Sequence, residues 1–538
     1  MPSPIATQPA LLTNNSAAYL PDRIKGADLR RSLWFCTTGW AFGAFWAASA
    51  TGGATINRFV EYLSPAGQKD FFIGLVSAAA FIGVLCQLPG AIVIEYLGQR
   101  KKFFLTWVTA QRSLYLVIAI LPWVLPAHHR ASIVILATLL IVGWCLGQYG
   151  GQAWTNWMAD LVPPRVRGKY FARRSRMGIT VMALTSLLMG VLMDASSTQW
   201  FNAYLGPIAQ FAGMDALLLV ISVIFLFASV AGIVDIQIFR KVDEPRMGHI
   251  SRDPIAMRLL KPLKDRQFMR YVAYLSCFNF TVGFTNPFWW FYLFGFYDLL
   301  KAGADAPWWL QYYYLSAYLM LPLSYQIGQF IGYPVWGMMI DRFGRKPIIF
   351  ISSFAHTFSW VAWFFITPAL LPWLMLVQLF GGFFGSGQEV ANFNMLLAFN
   401  RKGGAGYQAV AQVIASSAFA VASIVAGILA TKFLFPIENS FGYVFQLGGR
   451  SFGRYHALIL IGIMLKWGAD LVLLPYIHDL EAKPTSHAVR FLLGNMYGYV
   501  NTQIFTPLRT IPEVTGSAVR RFNDAAEDAV EGVKNLFK

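Results

Sequence analysis

The sequence predicts an all-α membrane protein: twelve transmembrane helices in two six-helix bundles, with both termini cytoplasmic. Long apolar runs, the placement of basic residues and an internal repeat carry this reading. Of 538 residues, 56% are hydrophobic and 13% charged, about half the charge of an ordinary soluble domain. Apolar windows reach or approach the ~20 residues that cross a bilayer as helix. They fall at 32–56, 71–94, 103–125, 131–158, 176–194 and 213–238, then at 271–297, 311–340, 348–367, 370–397, 408–431 and 456–477. The expected units are a tail (1–31), a first bundle (32–239), a basic linker (240–270), a second bundle (271–478) and a polar tail (479–538).

Orientation follows from lysine and arginine. Of the 43 such residues, 34 lie in segments that are cytoplasmic if both termini are, and seven lie in outside loops. Arg112 and Lys466 remain inside spans. This split obeys the positive-inside rule. The net charge of +17 therefore reflects topology, with anionic lipid headgroups as its partner, and nucleic acid is not required. Cys36, Cys86, Cys145 and Cys277 sit in apolar runs with no metal-like spacing and read as small core residues. Residues 1–30 hold four prolines and no basic start followed by an apolar core, so no cleaved signal peptide is expected. The tail repeats Val519, Phe522, Ala526, Val530 and Val533 at helical spacing among charges, the pattern of an amphipathic helix. The segment 489–505 is expected at the membrane interface.

The repeat is visible in two helices. Gln152, Asn156, Arg165 and Gly168 recur as Gln388, Asn392, Arg401 and Gly404, at a constant offset of 236 residues. Polar groups at corresponding places in two apolar halves are the mark of a duplicated membrane bundle with a site near its midplane.

Two inside hairpins also correspond. The second reads Gly337-Met-Met-Ile-Asp341-Arg342-Phe343-Gly344-Arg345-Lys346, and the first has Glu95, Gly98 and Arg100 at a like place. A glycine lets helices touch, an acid ends the span, and a glycine turn presents cations at the surface. The pattern resembles the major facilitator superfamily, whose signature is G-x-x-x-D-R-x-G-R-[RK] between spans two and three, repeated between eight and nine. The second copy matches fully; the first departs at Ala91, Glu95, Tyr96 and Gln99. In that family the motif latches the cytoplasmic side, so a weaker latch is expected in the first half. The run Arg165-Val-Arg167-Gly168-Lys169-Tyr170 reads either as a gate element that pairs with Asp160 or Glu95, or as a topogenic signal alone.

The resemblance further implies that spans 1, 4, 7 and 10 line a central cavity. Span 4 then offers Gln148, Gln152 and Asn156 on one helix face; span 7 offers Asn279, Thr285 and Asn286, with Pro287 breaking the helix; span 10 offers Gln388 and Asn392. Amides and hydroxyls suit a polar solute; the competing reading is that they join helix to helix, for about 0.6 kcal/mol each. Trp289 and Trp290 read as part of an interfacial aromatic belt. Glu389, which aligns with Ala153, is the carboxylate expected deep in a cavity helix, hence the candidate for carrying a proton. Arg112 reads either as an inward-reaching anion or counter-charge site or as one member of a structural pair. Lys466 and Asp470, at i and i+4, are expected to neutralise each other, and His356 is solitary.

No HExxH, P-loop or GxSxG occurs, so neither an enzyme nor an ATP-driven pump is expected, and no cofactor or metal site is read. The resemblance implies a monomeric secondary transporter of the plasma or inner membrane. It would move a small polar solute, such as a sugar or related metabolite, with a proton or other coupling ion. A scaffold or assembly factor that kept the fold without transport stays open, motivated by the altered first hairpin and the long tail.

Overall fold

A computed structural model describes residue 24 and residues 26–125, 127–245, 255–302, 307–400, 406–479 and 482–500. The expected tail helix at 519–533, Arg401 and Gly404 lie outside these residues, and so do the side chains of Glu95, Arg165, Arg167, Gly168 and Lys169.

The first half runs through α1 (Gly26–Ala50), α2 (Gly53–Leu63), α3 (Lys69–Gly83), α4 (Gln87–Leu97), α5 (Arg100–Val124), α6 (Arg130–Leu161), α7 (Pro164–Ala195), the short α8 (Gln199–Tyr204) and α9 (Gly206–Phe211), and α10 (Ala216–Ile238). After α11 (Ile255–Lys264), the second half holds α12 (Arg266–Thr285), α13 (Trp289–Ala302), α14 (Tyr313–Tyr318), α15 (Ser324–Phe343), α16 (Arg345–Phe365), α17 (Leu374–Asn400), α18 (Gly406–Ile428) and α19 (Phe435–Phe441). A hairpin of β1 (Phe445–Leu447) and β2 (Arg450–Phe452) then leads to α20 (Arg454–Gly468) and α21 (Thr485–Val500). The hairpin pairs Phe445 with Phe452 in antiparallel register.

Among the described residues nine helical segments are long and apolar enough to cross a membrane. The other three expected spans are interrupted. The first breaks between α1 and α2, where Gly53 takes φ +78°. The seventh breaks at Asn286–Phe288 around Pro287, and the eighth widens to a π turn at Leu319–Leu323 containing Pro322. Proline has no N–H to continue a helical ladder. Broken backbone is tolerated at membrane depth where it is buried in protein or lines a cavity.

Glycines set how closely the halves approach. A Cβ on Gly74 of α3 would strike the carbonyl oxygen of Ser423 in α18, and one on Gly427 would lie 2.9 Å from the carbonyl oxygen of Asp70. On the opposite side, α7 meets α14 with Gly190 against the backbone of Leu315. Small residues permit such backbone contacts in a membrane, where dispersion and hydrogen bonds rather than water expulsion hold helices together. The small-residue run of α18 (Ala411, Ala415, Ala420, Ala422, Ala426) is buried accordingly.

Polar contacts between the halves gather at the end that carries the expected outside loops. Arg454 pairs with Asp70 at 2.9 Å, and the Tyr455 hydroxyl donates to the same carboxylate at 2.8 Å. Asp194 at the end of α7 accepts the backbone N–H groups of Tyr314 (2.8 Å) and Leu315 (2.9 Å) at the start of α14. Arg58 donates to Tyr313 and lies 3.9 Å over the ring of Phe294. At the other end the described ion pairs stay within one half or reach the adjoining linker: Arg100 with Asp160 and Glu244, and Arg345 with Asp479.

Candidate functional site: a central cavity closed at one end

Below the closed end lies a cavity of about 800 Å³, within the size range of small-molecule sites. Its walls come unequally from the two halves. The first half supplies the α1–α2 break with Asn57, the face of α3 that ends at Phe81, and Trp144 of α6. The second half supplies the rest, from α12, the break at Pro287, α13, the π turn at Pro322, α15, α16, α17 and α18. Where the α3 lining ends, Phe81 and Phe419 stack with ring centroids 3.5 Å apart, one aromatic from each half.

Of the residues expected from sequence, Asn279, Thr285, Asn286, Gln388, Glu389 and Asn392 all line this cavity. Their free capacity differs. Asn279 donates to its own helix at Leu275, and the Thr285 hydroxyl to Thr281. Gln388 is tied to the Ser353 hydroxyl at 3.1 Å. The side-chain oxygen of Asn392 is buried and unpartnered, while its backbone carbonyl accepts from Tyr271. Asn286 is exposed. Glu389 is also exposed, held by the Tyr333 hydroxyl at 2.7 Å and by Gln329 at 3.4 Å. No described cation lies within ion-pair distance of it.

Gln148, Gln152 and Asn156 correct the symmetric expectation. None of them lines the cavity. Gln148 accepts from Gln87 at 2.6 Å, tying α6 to α4. The backbone carbonyl of Asn156 accepts from Arg100, and its side chain is exposed. The amide repeat is real in sequence, yet Gln388 and Asn392 line the cavity and Gln152 and Asn156 do not. Trp289 and Trp290 are a second correction. They line the cavity, with Trp289 packed edge-on against Trp360 at 6.0 Å. They follow directly on the break at Asn286–Phe288.

Sequence reasoning missed Asn57, Gln378 and Gln412, which add amides to the walls, and His356 with Trp360 and Trp363 from α16. Single amides scattered among apolar residues give no periodic signal, and α16, the ninth span, is not among the four spans expected to line the cavity.

The intramembrane charges also sort themselves. Arg112 pairs with Asp235 of α10 at 3.8 Å and lies 3.2 Å over the ring of Trp46, the structural pair expected, with a partner the sequence did not reveal. Lys466 and Asp470 do not reach ion-pair distance. Lys466 instead donates to the Ser353 carbonyl, and Asp470 accepts from the Ser353 hydroxyl. A π turn at Ala469–Leu473 removes the α-helical i, i+4 geometry on which that expectation stood. His356 is not solitary, because Lys466 lies 3.2 Å from its Nδ1.

The two hairpins are built differently from one another. Gly98 closes α4 at φ +65°, and the buried Arg100 beyond it bonds Asp160 at 2.5 Å and the carbonyls of Asn156 and Pro245. In the second hairpin, Gly344 takes φ +85° and Asp479 caps α16 through the N–H of Arg345 (2.8 Å) and Lys346 (3.1 Å), also bonding the Arg345 side chain at 3.0 Å. A carboxylate at a helix N-terminus satisfies open donors and opposes the helix dipole. Arg342 lies 4.2 Å over Phe491 of α21, and Asp341 is exposed. Nothing approaches Gly337, so its expected role in helix contact is not seen.

No family model and no curated protein matches the chain. Solved structures do. The nucleoside transporter NupG superposes with a TM-score of 0.55 at 10% identity, covering 84% of this chain and all of that one. The xylose transporter XylE of E. coli, in a partially occluded inward-open conformation, gives 0.55 at 14% identity over 85% of this chain and all of that one. A D-xylose-proton symporter gives 0.56 at 15%, over 85% and 99%. The chain has the major facilitator fold. Within that fold the site is a cavity between two halves that meet at one end, in a multi-pass helical membrane protein.

Proposed function

We propose that this protein is a secondary transporter that carries a small polar solute across the membrane by alternating access, coupled to a proton. The observation that carries the reading is the cavity itself. It holds amides and tryptophans, is sealed at one end by contacts between the halves, and contains one carboxylate, Glu389, among its described lining. A rigid-body motion of one half against the other that opened the α3–α18 and α7–α14 contacts would expose the same cavity to the opposite side. Two six-span bundles, 32–239 and 271–478, with cytoplasmic termini, make the closed end the outer one. Localisation in the plasma or inner membrane and action as a monomer belong to the same reading.

The lining suits a neutral solute with both a flat face and several hydroxyl or amide groups. Tryptophan rings supply stacking surface, and Asn286, Asn392 and Gln412 supply hydrogen bonds. That the matched structures are nucleoside and xylose transporters by title supports sugars and nucleosides as the first solutes to test. Glu389, facing the cavity and held by two neutral donors, is the carrier of the coupled proton.

The test is uptake into proteoliposomes of a monosaccharide and nucleoside panel under an imposed proton gradient. Gradient-driven accumulation is expected from the wild type and not from Glu389→Gln, which keeps the shape and loses the titration. Accumulation by Glu389→Gln equal to wild type would remove Glu389 from the coupling role. Stable co-purification with a membrane complex, without flux of any panel member, would favour the scaffold reading instead.

A further inference from the structure

Midway along α16, and where α20 passes into the π turn, lies a group of ionisable side chains that the cavity chemistry above does not use. Lys466 is fully buried. Its ammonium carries three protons and faces three acceptors: the Ser353 carbonyl at 2.9 Å, Thr357 Oγ1 at 3.2 Å and His356 Nδ1 at 3.2 Å. Asp470, 1% exposed, accepts from the Ser353 hydroxyl at 2.7 Å and from the Tyr274 hydroxyl at 3.1 Å. Ser353 therefore separates cation from anion, holding one with its carbonyl and the other with its hydroxyl. The same hydroxyl oxygen accepts from Gln388 Nε2 at 3.1 Å. His356 and Gln388 both line the cavity, so the buried group has two contacts with the site.

These bonds constrain where protons sit. An ammonium that donates to His356 Nδ1 requires that nitrogen to be unprotonated, so the neutral imidazole carries its hydrogen on Nε2. A further proton on His356 would set N–H against N–H. The imidazolium and the ammonium cannot share this arrangement, and binding a proton must break the Lys466–His356 contact. Lys466 is then free to turn toward Asp470. That move takes the carboxylate from the Ser353 hydroxyl and, through Ser353, loosens Gln388 at the cavity wall.

The first half provides a contrast. Asp235 precedes Asp470 by 235 residues, within one residue of the offset that relates α6 to α17. Its cation is Arg112, and a guanidinium does not give up its proton in a protein. Lysine and histidine can. Equivalent acids are thus met by a fixed cation in one half and by an exchangeable pair in the half that forms most of the cavity. The groups facing the pair are Tyr274 and Cys277 from α12, Tyr325 from α15 with its ring 6.3 Å from His356, Gln388 with Glu389 beside it on α17, and Asp470. Among the described residues none of these is a cation.

We infer that His356 and Lys466 form a proton-binding site in the second half, filled from the cavity that His356 lines and distinct from Glu389. The proton comes from cavity water and adds to the imidazole nitrogen that Lys466 releases; no covalent bond other than that N–H forms.

Trp360 reports on the site, since its ring lies 6.0 Å from His356 and 5.4 Å from the Lys466 ammonium. Intrinsic fluorescence of the purified full chain is titrated from pH 5 to 9, and the Trp360→Phe signal is subtracted from the wild type. A transition within this range is expected. It should vanish in His356→Gln, which keeps an acceptor for Lys466, and persist in Glu389→Gln and His456→Asn. In Lys466→Met/Asp470→Asn, which removes both charges so that neither is left uncompensated, the midpoint should move up by about one pH unit, because a neighbouring cation no longer opposes protonation. Monodisperse gel filtration of each variant shows that it is folded. No transition in the wild type, an unchanged transition in His356→Gln, or its loss in Glu389→Gln would overturn the assignment. No solute is present, so failure of the transport reading leaves this measurement unaffected.

Discussion

Replacing Gly74 with alanine tests how the cavity is closed. In the structure a Cβ at this position meets the carbonyl oxygen of Ser423, with the Cα of Gly427 at 3.3 Å. The obstacle is backbone on a second helix, so no side-chain rotation relieves it; α3 and α18 must separate. Overpacking of this kind costs ~1–3 kcal/mol. The cost falls on the closed arrangement alone, because the contact is absent once the halves part at this end. A bias of that size changes the ratio of the two states by roughly 5- to 150-fold. The assay is labelling of a single cysteine at Asn57, which lines the cavity just below the closure, by a membrane-impermeant maleimide in a background lacking the four native cysteines. Gly74→Ala is expected to speed labelling from the closed side by about that factor, and Gly427→Ala, whose Cβ would lie 2.9 Å from the Asp70 carbonyl, should act alike. Labelling within twofold of the parent, in protein that remains monodisperse, would refute the idea that these glycines set the closure.

Three further outcomes are expected. Arg112→Met should lower thermal stability in detergent by the equivalent of ~3–5 kcal/mol by leaving Asp235 buried without its partner, and adding Asp235→Asn should recover most of the loss; equal melting of single and double variants would contradict the pairing. Gly382→Ala should lower the thermal midpoint, since its Cβ meets the Tyr325 carbonyl where α15 crosses α17, at ~1–3 kcal/mol; an unchanged midpoint would show that the crossing is looser than drawn. Asp479→Ala should expose the start of α16 to hydrogen exchange by removing its acceptor from the N–H of Arg345 and Lys346, at ~0.5–2 kcal/mol; unchanged protection there would count against the cap.

The sequence alone was enough for the fold, because a bilayer forces its demands into composition: long apolar helices, basic residues on one side, and a polar interruption where the chain must leave helix. It also singled out polar residues that line the cavity. Asn279, Thr285, Asn286, Gln388, Glu389 and Asn392 stand out because an amide or carboxylate in an apolar run is costly. Cost does not say what satisfies the group, and there only the tertiary structure decided. Gln152 and Gln388 occupy repeated positions, yet Gln388 lines the cavity and Gln152 does not. Lys466 and Asp470 look like a pair by spacing, but a π turn and Ser353 keep them apart and give the ammonium to His356. Asp235 went unremarked and His356 read as solitary because each partner lies on another helix, more than a hundred residues distant in the chain. Hydropathy and spacing act along one helix, whereas a hydrogen bond or ion pair across helices depends on rotation and depth, which packing against every neighbour sets together.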